Sequence, residues 1–418
     1  DFEIAVSAAG DINADGYGDV IVAQHQGEDR ARVFFGGPSM DTTPDLVLEP
    51  DSSPEFGDCV SGVGDVNGDG CDDLAVGAYM GDGGKVYIYF GGPGVDENPD
   101  VVLRALRPVA ENFGVQVGGG GDMNGDGFDD VVVGASFNCE RWIGNGKVYG
   151  FFGGDPMDTI PDVWIYGEGP WQCLGESDVT CAGDVNGDGF DDLLVGNSLY
   201  PYGIRSGPGK LYLLFGGNPM DTIVDLWMIG RKDPAGLGIS SALVRRPTTE
   251  PYSAVIAGAP YDSDYPWITG KAHFWLGGAA MDTVPDAYMG GDYGSDRLGF
   301  NVASAGDVDG DGLDEILVSN YVCWVSPPKV WILKYRKVTQ FEAVWGDGFV
   351  KLTWRGAYHE GRVIGHNLYR SQVPDTGSLV KLNGELIAPA YGSHSWIDRD
   401  VSNGLTYYYR VEAMGSSD

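Results

Sequence analysis

The sequence predicts an all-β chain: a six-bladed β-propeller followed by a β-sandwich. Three observations carry that reading. A unit of about 60 residues recurs along the chain. Each unit holds four short apolar runs cut by Gly, Pro and Asp turns, and no stretch shows helical periodicity. The pattern then stops near residue 336, where plain alternation takes over. Four strands per unit, repeated radially, is the signature of a propeller blade. Six units give six blades, with seven as the alternative count.

Each unit opens on an aromatic residue or Leu followed by Gly: Phe56-Gly57, Phe113-Gly114, Leu174-Gly175, Leu237-Gly238 and Leu298-Gly299, with Phe2-Glu3 as an altered first copy. In five units an acidic loop follows: GDINADGYGD, GDVNGDGCDD, GDMNGDGFDD, GDVNGDGFDD and GDVDGDGLDE. Its first acid falls at Asp11, Asp65, Asp122, Asp184 and Asp307, in steps of 54, 57, 62 and 123 residues. The last step is a double one, so one unit lacks the loop. That unit reads ISSALVRRPTTEPYS, with Arg245 and Arg246 near the place of the first acid. A buried-type strand comes next (DVIVAQ, DLAVGAY, DVVVGAS, DLLVGNS, SAVIAGAP, EILVSN), then a run such as GKVYIYFGG or GKLYLLFGG, then a fourth segment such as MDTIPDVWIYG.

The loop has the chemistry of a cage for a hard cation. Carboxylate or amide oxygens stand at positions 1, 3 and 5, a glycine at 6 permits the sharp turn, and an acid stands at 9. With the carbonyl of position 7 they approach the six to eight oxygens, at about 2.3–2.6 Å, that calcium takes. An EF-hand would need Glu at position 12 and flanking helices, but Val76 and Val133 stand there in apolar strands. An Asp/Asn-rich hairpin turn without metal is the competing reading, and five copies in register favour the cation. The shell is all oxygen with no histidine base beside it, so its expected role is structural.

The formal charge of −35 over 418 residues argues against nucleic acid and anionic membrane surfaces as partners. No apolar run is long enough to span a bilayer. Residue 1 falls inside a repeat, from which a longer precursor is expected. Of the six cysteines none forms a C-x-x-C pair, so zinc is not expected.

This order of features resembles the FG-GAP repeats of integrin α-subunit propellers and of many bacterial surface proteins, over residues 1–336. The resemblance implies calcium between the first and second strands of a blade, on the lower face. The ligands it implies are Asp11, Asn13, Asp15, Tyr17 (carbonyl) and Asp19; Asp65, Asn67, Asp69, Cys71 (carbonyl) and Asp73; Asp122, Asn124, Asp126, Phe128 (carbonyl) and Asp130; Asp184, Asn186, Asp188, Phe190 (carbonyl) and Asp192; and Asp307, Asp309, Asp311, Leu313 (carbonyl) and Glu315. Glu315 departs from the usual Asp.

The same resemblance places the second-to-third strand loops and the blade-to-blade loops on the upper face, where integrins bind ligands. Trp142, Trp171, Tyr200, Tyr202, Tyr261, Tyr265, Trp267, Tyr321 and Trp324 would gather there, suited to a protein or glycan ligand; packing between blades is the alternative. Cys139 and Cys173 would lie on that face in adjacent blades, close enough for a disulfide, which fits an oxidising compartment. Cys59 and Cys181 fall on first strands, as small buried groups.

Residues 337–418 resemble a fibronectin type III domain. FVKLTW, VIGHNLYRS, HSWIDRDV and LTYYYRVEAM alternate as sandwich strands, Trp354 matches the core Trp of the second strand, and Tyr407 the tyrosine corner. Both ends look incomplete. The sandwich lacks a seventh strand, and the fourth strand of blade 6 is expected from upstream of residue 1, unless that blade stays short. Strands donated by a neighbouring copy are the alternative, giving a filament.

The expected function is therefore non-catalytic: an extracellular or cell-surface propeller, held by about five calcium ions, for adhesion, ligand binding or assembly. A filament subunit and a polysaccharide-active enzyme are the rivals. For the enzyme Tyr200, Tyr202, Arg205 and Lys210 supply a base and positive charge, without a supporting spacing.

Overall fold

The second strand of each sheet explains the architecture. DLAVGA, DVVVGA and AVIAGA are buried at every residue, on both faces. A strand can be apolar all round only if its sheet is covered on both sides. In the first unit the second and third sheets meet that need by lying between two others, as the blades of a propeller do.

The computed structural model describes residues 4–417 except 25–28, 50–54, 81, 107–110, 182, 201–206, 232–233, 246–251, 263–268, 280, 292–295, 307–313, 322–328, 338–339, 347–348, 356–361, 372–379, 383–392 and 400–407. Among the described residues every regular element is a strand. Two units divide the chain: residues 1–184 with 188–241, and residues 185–187 with 242–418.

The first unit carries four four-stranded antiparallel sheets in simple up-and-down order. They are β1 (Ile4–Gly10), β2 (Asp19–Gln24), β3 (Arg30–Phe34) and β4 (Leu46–Leu48); β5 (Phe56–Gly64), β6 (Asp73–Ala78), β7 (Lys85–Tyr89) and β8 (Val101–Arg104); β9 (Phe113–Gly121), β10 (Asp130–Ala135), β11 (Lys147–Phe151) and β12 (Val163–Tyr166); and β13 (Val179–Thr180), β14 (Leu193–Asn197), β15 (Lys210–Leu214) and β16 (Leu226–Ile229). Its core lies between sheets. Ile12, Ile21 and Val33 of the first pack with Phe56, Val76 and Tyr87 of the second; Val63, Val86 and Ile88 of the second with Phe113, Val133 and Phe151 of the third; Val132 and Ile165 of the third with Leu193 and Tyr212 of the fourth.

The aromatic-Gly and Gly-Lys signatures meet at the blade junctions. Phe113 donates its N–H to Gly83 and bridges Gly84; Leu174 donates to Asn145 and bridges Gly146; Leu237 donates to Pro208 and bridges Gly209. A Cβ on Gly146 would stand 2.1 Å from the Leu174 nitrogen, so this approach requires glycine.

The second unit continues the pattern. β17 (Ser241–Val244), β18 (Ala254–Ala259), β19 (Lys271–Trp275) and β20 (Ala287–Gly290) form the fifth blade sheet. The sixth comprises β21 (Leu298–Gly306), β22 (Glu315–Asn320) and β23 (Val330–Lys337). Ile256 and Phe274 of the fifth pack with Leu298, Ile316 and Leu333 of the sixth.

After β23 the chain forms β24 (Gln340–Gly346), β25 (Phe349–Arg355) and β28 (Ser393–Asp398) in one sheet, while β26 (Arg362–Ser371), β27 (Val380–Lys381) and β29 (Tyr408–Ser417) join the sixth blade sheet in the order β23, β29, β26, β27. The place beside β23 is thus filled by β29, Ile332 through Lys337 pairing with Ser417 through Glu412. A strand from upstream of residue 1 was the expectation for that place. Each of the two strands covers the other's otherwise open hydrogen-bonding edge.

Candidate metal loops and exposed face

The acidic loops occupy the turns between the first and second strands. In the second loop Asp65 Oδ1 accepts the N–H groups of Gly68 and Asp69, and Oδ2 that of Gly70. Asn67 Oδ1 accepts Asp69 N–H, and Asp69 Oδ1 accepts Cys71 N–H. The first and third loops repeat this wrap around Asp11 and Asp122. The fourth shows it for Gly189 on Asp184 and Phe190 on Asp188. Position 1 is thereby fixed at the middle of the turn in these four loops.

The ninth-place acid is the most buried. Asp73, Asp130 and Asp192 are fully buried and Asp19 and Glu315 nearly so. Asp73 staples two backbone segments, accepting Val66 N–H at 2.8 Å and Gly91 N–H at 2.7 Å. Asp19 and Asp130 do the same with Ile12 and Gly36 and with Met123 and Gly153. Burial outweighs those bonds: it pushes Asp73 up to about 7 and Asp130 up to about 8, with Asp65 and Asp69, or Asp122 and Asp126, adding repulsion.

The donor set is all oxygen; Asp65 Oδ1 and Asp122 Oδ1 each accept two N–H groups, while Oδ2 of either accepts one and keeps a second lone pair for a cation. By that chemistry the residues fit calcium. Among the described residues no group of three or more His, Cys, Asp and Glu side chains is gathered around one point. Asn186 lies in the second unit and the other implied ligands of its loop in the first. Asp307, Asp309, Asp311 and Leu313 lie outside the described residues, as does Arg246; Arg245 is exposed.

The sequence reading passed over the eighth place of the loop. Asp72 Oδ2 accepts Asp11 N–H at 2.7 Å, Asp129 Oδ2 accepts Asp65 N–H at 2.9 Å, and Asp191 Oδ2 accepts Asp122 N–H at 3.0 Å. Each bond joins one blade to the next. The doubled acid in GCDD and GFDD was its only signal.

Elsewhere, the loop 138–146 and the segment 167–173 form one exposed platform. Trp171 donates its N–H to Ile143 and Cys173 to Gly144, and the Phe137 and Trp171 rings lie 6.1 Å apart. Trp142 is 56% exposed, Ile143 60% and Trp171 51%. Phe137 and Ile143 were not among the expected residues. Tyr200 is half-buried over Lys210; Tyr202, Tyr265, Trp267, Trp324 and Arg205 lie outside the described residues.

Cys139 and Cys173 are free thiols that share Gly144, whose N–H donates to Cys139 Sγ at 3.3 Å and whose carbonyl accepts Cys173 N–H at 3.0 Å. Burial, with help from Glu176 and Cys139, pushes the Cys173 thiol up to about 11. Cys181 is fully buried; Cys59 is partly buried and sits against Val117 of the next blade.

Behind these loops, the lysine of the Gly-Lys signature sits in an aromatic cage. Lys147 Nζ lies 4.2 Å from the Tyr149 ring centre, 4.9 Å from Tyr166 and 5.0 Å from Trp164. Lys210 lies among Tyr200, Tyr212 and Trp227 with Glu168 at 2.5 Å.

Three FG-GAP repeats match residues 60–89, 113–151 and 179–214, the second, third and fourth blades. The chain is 34% identical over 153 residues to integrin alpha-5 of Xenopus laevis, covering 32% of this chain and 14% of that protein. It is 37% identical over 139 residues to integrin alpha-7 of Rattus norvegicus, covering 31% and 12%. It thus spans a small part of the length of these relatives. The second, third and fourth blades thus carry FG-GAP repeats, and about a third of the chain is similar to integrin alpha subunits. A solved structure, Aleuria aurantia lectin with alpha-methyl-L-fucoside, is 10% identical with a TM-score of 0.41, covering 79% of this chain and 91% of that one. No helix among the described residues is long and apolar enough to cross a membrane.

Proposed function

We propose that this chain is a non-catalytic, calcium-stabilised adhesion or ligand-binding propeller that works outside the cell. The exposed platform of Phe137, Trp142, Ile143 and Trp171 carries the reading: four large apolar side chains held in place by backbone hydrogen bonds form the centre of a binding patch. The partner would be a protein, with basic residues that complement the −35 charge. The integrin relatives support a ligand-binding role. Lys210 favours a scaffold over an enzyme, since its ammonium is held by Glu168 and three rings.

Calcium would be held by the oxygens of positions 1, 3, 5, 7 and 9, supplying the positive charge that clustered acids need. Residues 337–418 would act as a fibronectin-type spacer. The Cys139–Cys173 pair would close to a disulfide in an oxidising compartment, tying the two halves of the platform.

The test is an array of extracellular proteins and glycans probed in millimolar calcium with the wild type and with Trp142→Ala/Trp171→Ala. Binding of a protein that the double variant loses, at unchanged melting temperature, is the expected result. Equal binding by both, or turnover of a captured glycan, overturns the proposal.

A further inference from the structure

We infer that the eighth-place acids Asp72, Asp129 and Asp191 are latches that couple cation binding in one blade to the loop of the blade before it. The inference rests on the calcium reading above and adds residues that are not themselves ligands.

Three independent copies of one geometry carry it. Each latch makes a reciprocal pair with the first acid of the preceding loop. Asp65 donates its N–H to Asp129 Oδ2 at 2.9 Å, and Asp129 donates its own N–H to the Asp65 carbonyl at 3.0 Å. Asp122 and Asp191 exchange the same bonds, both at 3.0 Å. Asp11 and Asp72 exchange them at 2.7 and 3.4 Å. The sequence keeps the space clear. A Cβ on Gly64 would stand 2.0 Å from Asp129 Oδ2, and one on Gly10 2.2 Å from Asp72 Oδ2. A second contact runs the same way: the Phe128 ring covers Gly68, where a Cβ would meet Cε1 at 2.5 Å, and Phe190 covers Gly125 alike.

The position of the latch makes it a transmitter. Asp129 is bonded directly to Asp130, the buried ninth-place ligand of its own loop. A cation that fixes Asp130 fixes Asp129, and Asp129 fixes the backbone of Asp65. Asp65 in turn holds the N–H groups of Gly68, Asp69 and Gly70 and so shapes the preceding loop. The rigid loop loses less freedom when it binds, so affinity rises. Linkage makes the effect mutual.

The experiment is calcium titration calorimetry on the whole chain, as a double-mutant cycle. Asp130→Ala removes a ligand of the third loop; Asp129→Ala removes the latch; Asp129→Asn keeps an acceptor. The expected result is that Asp129→Ala lowers the affinity of one site by about tenfold without lowering the number of sites, and that Asp129→Asn restores it. Asp130→Ala should weaken a second site in the wild-type background and not in Asp129→Ala. Equal affinities in wild type and Asp129→Ala, or additive effects in the cycle, overturn the latch while leaving calcium binding intact. A wild type that takes up no calcium overturns the reading beneath it. Should Asp129→Ala fail to fold, Asp72→Ala with Asp73→Ala runs the same cycle on the first and second loops.

Discussion

Lys147 stands with its ammonium 3.5 Å from Glu140 and over the rings of Tyr149, Trp164 and Tyr166, and it is 1% exposed. A buried lysine keeps its charge only if partners replace water. Lys147→Ala should therefore cost about 2–4 kcal/mol, from lost packing and lost cation–π contact. Urea unfolding would show it as a lower midpoint at unchanged slope. A loss below about 0.5 kcal/mol would mean that the cage does not stabilise the blade.

That cage also marks how far the sequence could be read. The blades were legible because their signals are local: Phe113-Gly114, the loop from Asp122 and the GKVYGFFGG run recur at fixed offsets. The cage was not, although an aromatic follows the lysine at one recurring offset (Lys147 and Trp164, Lys210 and Trp227, Lys271 and Tyr288): the two stand on different strands, and only the pairing of those strands brings them together. The latch was visible as a second acid, yet its partner lies one blade away, at a separation of 64 residues for Asp65 and Asp129. Pairing of β29 with β23 joins segments some 80 residues apart, which periodicity does not reach. In the loops the sequence set out the donors, and the hydrogen-bonded wrap that positions them emerged only in three dimensions.

Gly64 has a φ of 70° and faces Asp129 Oδ2. Gly64→Ala would both strain the backbone and push the carboxylate aside. A loss of about 2 kcal/mol or more is expected. Gly94, with open space around it, should tolerate alanine. Equal midpoints for the two variants in urea would contradict the close approach.

Asp178 accepts the Ser241 N–H at 2.7 Å, and burial pushes its carboxyl up to about 6. An acid raised in the folded state favours folding when protonated. Its contribution is present in full below the unfolded value near 3.8 and is lost as pH rises through about 6. The stability difference between wild type and Asp178→Asn should shift in favour of the variant between about pH 4 and pH 6. A difference that stays flat over that window would count against the shift.

The shared residue Gly144 brings Cys139 and Cys173 within one residue's reach of each other. Exchange with oxidised glutathione should convert the two thiols to one disulfide, releasing two glutathione thiols and leaving Cys181 reduced. Peptide mapping without reductant would reveal the linked peptides. Recovery of both as unlinked free thiols would show that the loops hold them apart.

The account depends above all on the acidic loops holding calcium as part of the fold. The direct measurement is a thermal melt of the whole chain in millimolar calcium and again after chelation with EDTA. Each occupied site at a hundredfold excess over its Kd adds about 2.7 kcal/mol, so several sites should move the melting temperature by about 10 °C or more. The account predicts that drop, with full recovery when calcium is restored. Superimposable curves with and without EDTA would contradict it.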